Sequence, residues 1–265
     1  MTKIDFKVQS IDKVISLSDL GENGSLVERI YAVLRAQIIN LSLPPEMPLV
    51  EKEIAGIFNI SKTPVREALI RLANDRLVSI VPKSGSYVAA ISVERYLEAC
   101  FIRTSLEAGC IRRLADKGLS MSEQVNLRSI ITQQKQILEG NEPDYKPFFV
   151  VDELLHKTFF EYAGLLGAWN ILNSAKAEID RVRHLKKMLG IHRSKAVIEE
   201  HTKIVQAVID RDADSAEAAM IYHIGGVDEE MATISDNPQF LQSIESFNLL
   251  LNAQRKGRNK RKWQA

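Results

Sequence analysis

The chain has 265 residues, of which 45% are hydrophobic and 26% are charged, and its formal net charge is +1. This composition is that of an ordinary globular protein, and the length is sufficient for two domains. The small net charge excludes a chain that is strongly basic over its whole length. No apolar run approaches the roughly 20 residues that a membrane span needs, and the N-terminus lacks the apolar core of a secretion signal. We therefore expect a cytoplasmic protein that does not bind membranes. Cys100 and Cys110 have neither a metal nor a redox spacing, which is typical of buried free thiols.

The first predicted helix follows a segment with little periodicity. Residues 1–24 end in Gly21-Glu22-Asn23-Gly24, and we expect them to form an arm or a disordered lead-in. Ser25 can cap the N-terminus of the helix that follows. The apolar face of this helix carries Leu26, Ile30, Val33, Leu34 and Ile38. Prolines mark the next loop, at Pro44, Pro45 and Pro48.

A helix-turn-helix is predicted after this loop. A short helix from about Glu51 to Phe58 is followed by a turn at Asn59-Ile60 and by a second helix that ends near Asp75. Ser61 or Thr63 can cap the second helix, and Pro64 suits its first turn. The apolar stripe that would pack against the preceding helix, at i, i+4 and i+7, consists of Val65, Leu69 and Leu72.

The start of the second helix carries residues that can contact DNA. Lys62, Thr63 and Arg66 lie where the recognition helix of a helix-turn-helix meets base edges and phosphates. Two β-prone runs follow at 78–81 and 86–89, around a turn in which Gly85 can take a positive φ. Three helices followed by a hairpin predict that residues 25–90 form a winged helix-turn-helix that binds duplex DNA.

Beyond Val93 the sequence has almost no strand signal. Helical stretches are predicted over residues 93–117, 121–139, 147–164, 167–189, 194–211 and 213–232. We expect a mainly α protein in which residues 91–235 form an all-α antiparallel bundle of six or seven helices, large enough for its own core and an interior effector pocket. Residues 236–265 would add a helix over about 238–251 and a basic tail, which is either a solvated end or a non-specific contact to phosphates.

Three of the five histidines are predicted to point into this bundle. His156, His201 and His223 each have apolar residues around them at helical spacing, and Asp152 shares a helix face with His156. A carboxylate that faces a core without a partner is costly, and a metal would remove that cost. One oxygen and three nitrogens from these residues would suit Zn, Ni, Cu or Fe better than Mg or Ca. Hydrogen-bonded core histidines without a metal are the alternative. His184 and His192 are expected at the surface.

Arg103 is the main candidate for binding an anionic ligand. It lies on an otherwise apolar helix face, and an inward guanidinium needs a carboxylate, either from Glu107 or from a ligand. For Arg181 and Arg183 a solvated helix face is favoured. A metal with open positions beside an arginine would bind a small organic carboxylate. A metal-dependent hydrolase fused to a DNA-binding module is a further alternative, but the sequence has no His-Glu-x-x-His motif, and we predict that the protein is not an enzyme.

Together these patterns resemble GntR-family transcriptional regulators of the FadR type, which carry an FCD ligand-binding domain. The resemblance covers about residues 25–232. In the first domain it depends on Pro44-Pro45, Leu49, Glu53-Ile54-Ala55, Ser61 through Leu69, Arg71-Leu72, Leu77-Val78 and Gly85 through Val88. In the second it depends on Arg103 with Leu106-Glu107, Asp152 with His156, Glu200-His201, Asp210, Asp214, Ala218 and Met220 with His223.

The resemblance implies a bacterial homodimer, most often a repressor, that binds a palindromic DNA operator and responds to a small carboxylate. The metal ligands of the family fall on Asp152, His156, His201 and His223, with zinc as the expected ion and nickel as the second choice. Arg103 would contact the effector. The DNA-contacting residues fall on Lys52, Ser61, Lys62, Thr63, Arg66, Lys83 and Gly85.

Four residues depart from the family pattern. Glu46 and Arg76 stand where the family usually has glycine. Lys62 replaces an arginine beside the helix cap, and Leu155 replaces a phenylalanine. A lysine keeps the charge toward phosphate but loses the bidentate contact to guanine, so the operator preference would change. None of the four departures removes a predicted metal ligand.

Overall fold

The computed structural model describes residues 9–139, 145–188, 194–225 and Ile244. Over these ranges the chain is mainly helical, as the sequence predicts, and forms two compact units. The first unit contains residues 9–93 and helix α8 (Ala177–Met188), and the second contains residues 94–176 and 194–225. None of the described helices is long and apolar enough to cross a membrane.

The first unit is a winged helix-turn-helix. Its first three helices are α1 (Leu26–Ile39), α2 (Glu51–Phe58) and α3 (Lys62–Asn74), and its strands are β1 (Pro48–Leu49), β2 (Val78–Val81) and β3 (Gly85–Val88). The strands pair antiparallel in the order β1-β3-β2, with Leu49 and Ile80 both opposite Ser86. The predicted helix-turn-helix and hairpin are confirmed. Strand β1 was not predicted, because two residues that begin with a proline carry no strand pattern.

Apolar stripes on α1 and α3 contribute to the core of this unit. Ser25 accepts a hydrogen bond from the Glu28 N–H, while the Glu28 carboxylate accepts one from the Ser25 N–H, so a capping box starts α1 as the sequence suggests. The stripe of α3 is buried at Val65, Leu69 and Leu72. Burial of this stripe leaves the polar side chains of α3 on its exposed side.

Residues 9–24 pack onto the same core. Two short 3₁₀ helices, Ile11–Lys13 and Leu17–Asp19, precede α1, and the side chains of Ile11, Ile15 and Leu20 are buried in the core of the unit. Of the two expected forms, the disordered lead-in is therefore wrong for these residues and the arm remains, because a few apolar side chains are enough to anchor a short segment. Residues 1–8 lie outside the described ranges.

Glu46 and Arg76 are among the residues of the first unit that adopt a left-handed conformation without being glycine. Glu46 has a φ of 63° in the turn closed by a hydrogen bond from the Met47 N–H to the Pro44 carbonyl. Arg76 has a φ of 59° just after the end of α3. Both positions are among the departures from the family pattern noted above. The side chains of Glu46 and Arg76 are thus held in a backbone conformation that glycine adopts without strain.

The second unit is an all-α bundle, as predicted. Its helices are α4 (Val93–Lys117), α5 (Met121–Leu138), α6 (Tyr145–Tyr162), α7 (Leu166–Ala175), α9 (Ser194–Ile209) and α10 (Ala213–Ile224). Helix α5 packs against α6 and α9, and α9 packs against α10. Buried side chains such as Leu127, Phe159, Leu172 and Val208 form its core. Apart from Ile244, the helix predicted over 238–251 and the basic tail lie outside the described residues.

Helix α8 follows α7 in sequence but belongs to the first unit. The sequence predicts one helix over residues 167–189, whereas α7 ends at Ala175 and α8 begins at Ala177. No glycine or proline marks this break, so the sequence pattern does not show it. Helix α8 packs against α1, and Ala177 joins the core of the winged helix-turn-helix.

Arg181 attaches α8 to the segment that leaves the wing. Its side chain is fully buried, with Nη2 donating to the Ala89 carbonyl at 2.6 Å and Nη1 donating to the Glu178 carboxylate at 3.1 Å. Glu178 also accepts a hydrogen bond from the Ser92 N–H. The expectation that Arg181 lies on a solvated face is therefore wrong. Ala89 is 92 residues away in sequence, and local helix periodicity cannot show such a partner.

Candidate metal centre and nucleic-acid interface

Three histidine rings meet inside the second unit. His156 comes from α6, His201 from α9 and His223 from α10, and all three are buried. The Nε2 atom of His223 lies 3.2 Å from that of His201 and 3.3 Å from that of His156. Each ring therefore offers one ligand atom to a common point, and these atoms all lie within 4.8 Å of one another.

The opposite nitrogen of each ring faces an oxygen acceptor. His156 Nδ1 bonds Glu107, His201 Nδ1 bonds the Gln134 Oε1 atom at 2.9 Å, and His223 Nδ1 bonds Glu200 at 2.9 Å. Because a carboxylate or carbonyl oxygen accepts a proton from its partner, each Nδ1 carries a hydrogen, and in a neutral ring the Nε2 atom then holds the lone pair. This tautomer is the one in which histidine binds a metal through Nε2.

Asp152 completes the predicted set. Its side chain is buried, and its Oδ1 atom lies 3.6 Å from the His201 Nε2 atom. Since Asp152 is one helical turn before His156 on α6, both side chains reach the same side of that helix. The four residues predicted from the sequence are thus brought together, with one carboxylate beside three imidazole nitrogens.

Burial and nearby charge set the protonation of this site. Burial lowers the pKa of His201 and of His223 well below the ordinary value, and neighbouring positive charge lowers it further. For Glu107, burial would raise the pKa, but the positive charge of Arg103 and hydrogen bonds from Arg103 and His156 outweigh it and hold the pKa well below its usual range. His201 and His223 therefore stay neutral beside the ionised Glu107 carboxylate.

Arg103 lies at the edge of the histidine cluster. Its Nε atom donates to the Glu107 carboxylate at 2.7 Å, and its Nη2 atom is 3.3 Å from the His156 Nε2 atom. Of the two partners considered for this guanidinium in the sequence, the structure shows Glu107. The same carboxylate thus orients both Arg103 and His156, and the arginine carries a permanent positive charge next to the histidine Nε2 atoms.

Gln134 is a part of this site that the sequence reasoning missed. It is fully buried on α5, and while its Oε1 atom accepts from His201, its Nε2 atom has no hydrogen-bond partner among the described residues. Gln134 follows Leu127, Ile130 and Ile131 at i+7, i+4 and i+3, so a polar residue in a buried stripe was the available signal. The amide orients His201 and leaves one buried donor for a further acceptor.

The residues predicted to contact DNA all lie exposed on the first unit. Lys62, Thr63 and Arg66 are in the first turns of α3. Ser61 occupies the N-cap position of this helix, but its side chain makes no capping hydrogen bond. The remaining exposed candidates are Lys52 on α2 and, at the turn of the β2–β3 hairpin, Lys83 and Gly85. Gly85 has a φ of 126°, as predicted.

Arg66 does not extend freely from the recognition helix. Its Nε and Nη2 atoms donate to the two carboxylate oxygens of Glu51, at 2.9 and 2.8 Å. Glu51 is the first residue of α2, so the contact joins the two helices of the helix-turn-helix. The sequence reasoning assigned no role to this carboxylate.

The remaining predictions about single residues have mixed outcomes. Cys100 and Cys110 are buried free thiols, as expected, and burial raises the pKa of Cys110 to about 12. His184 is half-buried rather than at the surface, and His192 lies outside the described residues.

Comparison with known proteins identifies the class of this one. Residues 26–88 match the gntR family of bacterial regulatory proteins, and residues 98–226 match the FCD domain. The HTH-type transcriptional repressor RspR of Escherichia coli strain K12 is 33% identical over 207 residues, which are 78% of this chain and 89% of RspR. The chain therefore belongs to the GntR family, in the group that carries an FCD domain.

A second relative and a solved structure agree with this assignment. The probable D-xylose utilization operon transcriptional repressor of Paenarthrobacter nicotinovorans is 30% identical over 185 residues, 69% of this chain and 78% of that protein. The structure of E. coli McbR/YncC matches with a TM-score of 0.66 over 81% of this chain and 99% of that one, at 19% identity, and so has the same fold. The protein is a DNA-binding transcriptional regulator, and FCD domains in its family are known to bind metals.

Proposed function

We propose that this regulator is a repressor whose second unit binds a divalent transition metal, zinc before nickel, and a small organic carboxylate that changes its affinity for operator DNA. The observation that carries the proposal is the meeting of three histidine Nε2 atoms in a buried site, with a carboxylate beside them. RspR is named a repressor and the P. nicotinovorans relative a probable repressor, which supports the sign of regulation.

The residues present fit a metal ion. Asp152, His156, His201 and His223 offer the nitrogen and oxygen donors that zinc and nickel prefer. The orientation of the three imidazole rings is already fixed, since their Nδ1 atoms are hydrogen-bonded to Glu107, Gln134 and Glu200. A metal bound by these residues would supply a Lewis acid for an anionic oxygen of the effector.

Arg103 and Gln134 favour an effector with an anionic oxygen. The Arg103 guanidinium places positive charge beside His156. The buried Gln134 Nε2 donor has no acceptor among the described residues. A buried donor without an acceptor is costly, so a ligand oxygen that reaches it gains affinity. A small carboxylate would accept a hydrogen bond from this donor and would be attracted by the Arg103 charge.

Regulation would follow from a shift in population. A carboxylate that binds one packing of the second unit more tightly than another favours that packing by its difference in affinity. In a homodimer, this shift would change how the two recognition helices are presented to the half-sites of a palindromic operator.

The test compares the wild-type protein with the variant Asp152→Ala/His201→Ala, with His184→Ala as a control that removes a half-buried histidine of the first unit. Elemental analysis of protein purified without chelator should find metal in the wild type and the control and none in the double variant. A thermal-shift screen of organic acids, with and without zinc, should find acids that stabilise the first two only. These acids should also release a DNA duplex selected by the wild type from a random pool.

Two outcomes would contradict the proposal in different ways. Release of DNA by the same acid in the double variant would show that the effector acts without the metal ligands. Wild-type protein that contains no metal but still responds to an acid would support the alternative in which the histidines bond one another and the effector.

A further inference from the structure

We infer that Glu51 is a positioning residue for DNA recognition, because its carboxylate holds the guanidinium of Arg66 in one orientation on the recognition helix α3. The inference depends on the proposed contact between Arg66 and DNA. Glu51 thereby joins the residues that determine DNA recognition without contacting a base itself. Its negative charge also prevents it from binding a phosphate.

Glu51 and Arg66 form a two-pronged ion pair between α2 and α3. Both carboxylate oxygens accept from the same edge of the guanidinium, Oε1 from Nε at 2.9 Å and Oε2 from Nη2 at 2.8 Å. Two parallel hydrogen bonds fix the plane of the guanidinium, whereas a single contact leaves it free to rotate. The Arg66 side chain is nevertheless 63% exposed, so it remains accessible to a ligand.

Folding stability does not explain this arrangement. Ion pairs at an exposed surface contribute little to stability, because water and salt screen them and two long side chains lose freedom. The hydrogen bonds from Arg66 lower the pKa of Glu51, so the carboxylate stays ionised at neutral pH. Instead, the ion pair fixes the direction of the Arg66 N–H groups that do not bond to Glu51.

Those unused donors have the geometry for a base. A guanidinium has five N–H groups, and Glu51 accepts from Nε and from one hydrogen of Nη2. The two hydrogens of Nη1 and the second hydrogen of Nη2 remain at the tip of the side chain. Adjacent terminal nitrogens can donate to O6 and N7 of one guanine in the major groove. Glu51 thus occupies the Nε and Nη2 side of the guanidinium and leaves its two terminal nitrogens, Nη1 and Nη2, able to donate to a base.

Glu51 also changes the charge of the recognition surface. Its carboxylate interacts with the positive charges of both Lys62 and Arg66, which lie one turn apart on α3. A negative charge there weakens attraction to phosphate, and phosphate attraction supplies most of non-specific binding. Glu51 therefore favours the cognate duplex by orienting a base contact, while its charge weakens the attraction to the phosphates of every duplex.

The experiment measures binding to two duplexes, one selected by the wild-type protein from a random pool and one with the same bases scrambled. Binding is followed by fluorescence anisotropy at several salt concentrations for wild type, Glu51→Gln and the control Glu53→Gln. The control removes the same charge from an exposed residue in the same turn of α2. Glu51→Gln should lower the ratio of the two affinities by about tenfold, in the range expected for a bidentate base contact. Binding of Glu51→Gln to the scrambled duplex should be unchanged or tighter.

A double-mutant test separates positioning from a structural role. Arg66→Lys keeps the charge but has no fork to orient, so Glu51→Gln in that background should leave the affinity ratio unchanged. Thermal unfolding should show that every variant is folded. The inference is overturned if Glu51→Gln keeps the wild-type ratio, or if it lowers the ratio equally with lysine at position 66. A wild-type protein that selects no sequence from the pool would instead overturn the proposed operator binding, and this inference with it.

Discussion

The Nε2 atoms of His201 and His223 lie 3.2 Å apart, and neither carries a proton in the tautomers that Gln134 and Glu200 impose. Two lone pairs at this distance repel each other. Protonation would relieve the repulsion, but it would place a charged imidazole in a buried site beside Arg103. A cation bound between the rings removes the conflict without that penalty, which is why the metal-free site is expected to be the less stable form.

Replacing Gln134 should weaken metal binding although Gln134 is not a predicted ligand. In Gln134→Leu, His201 loses the acceptor that fixes its tautomer, and loss of such a partner typically weakens metal affinity by about 10–100-fold. Competition with a chelating dye measures this directly. Gln133→Leu, at the neighbouring exposed position of α5, is the matched control. Equal metal affinity in both variants would mean that the Gln134 amide does not orient His201.

The metal-free protein should lose stability as the pH falls. In the unfolded chain the histidines titrate near about 6.5, whereas burial lowers the pKa of His201 and His223 in the folded state. The unfolded state therefore binds more protons below that pH, so this contribution is fully present above about pH 6.5 and is lost toward the lowered folded-state values. Urea unfolding in chelator should show the decline, and His201→Gln should reduce it. A free energy of unfolding that is constant over this range would contradict the prediction.

Glycine at position 46 or 76 should stabilise the first unit. Glu46→Gly and Arg76→Gly each relieve a left-handed conformation, which disfavours a residue with a Cβ by roughly 1–2 kcal/mol. The greater freedom of glycine in the unfolded chain offsets part of this gain, so we expect about 0.5–1 kcal/mol for each change. Urea midpoints measure the gain. Glu46→Ala is the control, because it removes the carboxylate and keeps the Cβ, and it should give no gain.

Loss of the Arg181 side chain should destabilise the protein strongly. Arg181→Met leaves the Ala89 carbonyl without this donor and the Glu178 carboxylate without its buried ion-pair partner. Breaking a buried pair in this way typically costs about 3–5 kcal/mol. Arg183→Met on the same helix breaks a looser and partly exposed pair at 3.8 Å, and should cost less than about 1 kcal/mol. Chemical denaturation of both variants gives the comparison, and similar losses would show that the buried contacts of Arg181 do not hold α8 in place.

The features that the sequence predicts correctly are those that depend on local spacing. The buried stripe of α3 and the hairpin follow from periodicities of a few residues. Likewise, Asp152 and His156 share a face because they are one turn apart. The inward direction of His201 and His223 was likewise visible in the apolar residues around each of them.

The features that were missed depend on distant partners. Arg181 resembles a solvated residue until Ala89 is seen beside it, and Gln134 resembles an ordinary helix residue until His201 is placed against it. Ile11 and Ile15 lie in a short segment with weak periodicity, so only the packed core reveals that they anchor it. In each case the residue is stabilised by a contact with residues far away in sequence. A pattern within one helix carries no information on such a contact.

Helix α8 makes the DNA-binding unit discontinuous in sequence, and this limits how the protein can be cut and recombined. A fragment that ended at residue 92 would lack α8, leaving the face of α1 against which it packs exposed and the Ser92 N–H without its carboxylate acceptor. A chimaera that joined this winged helix-turn-helix to a different sensor domain at the same point would inherit the defect. Exchange of whole regulators, or grafts that carry residues 177–188 along, would avoid it.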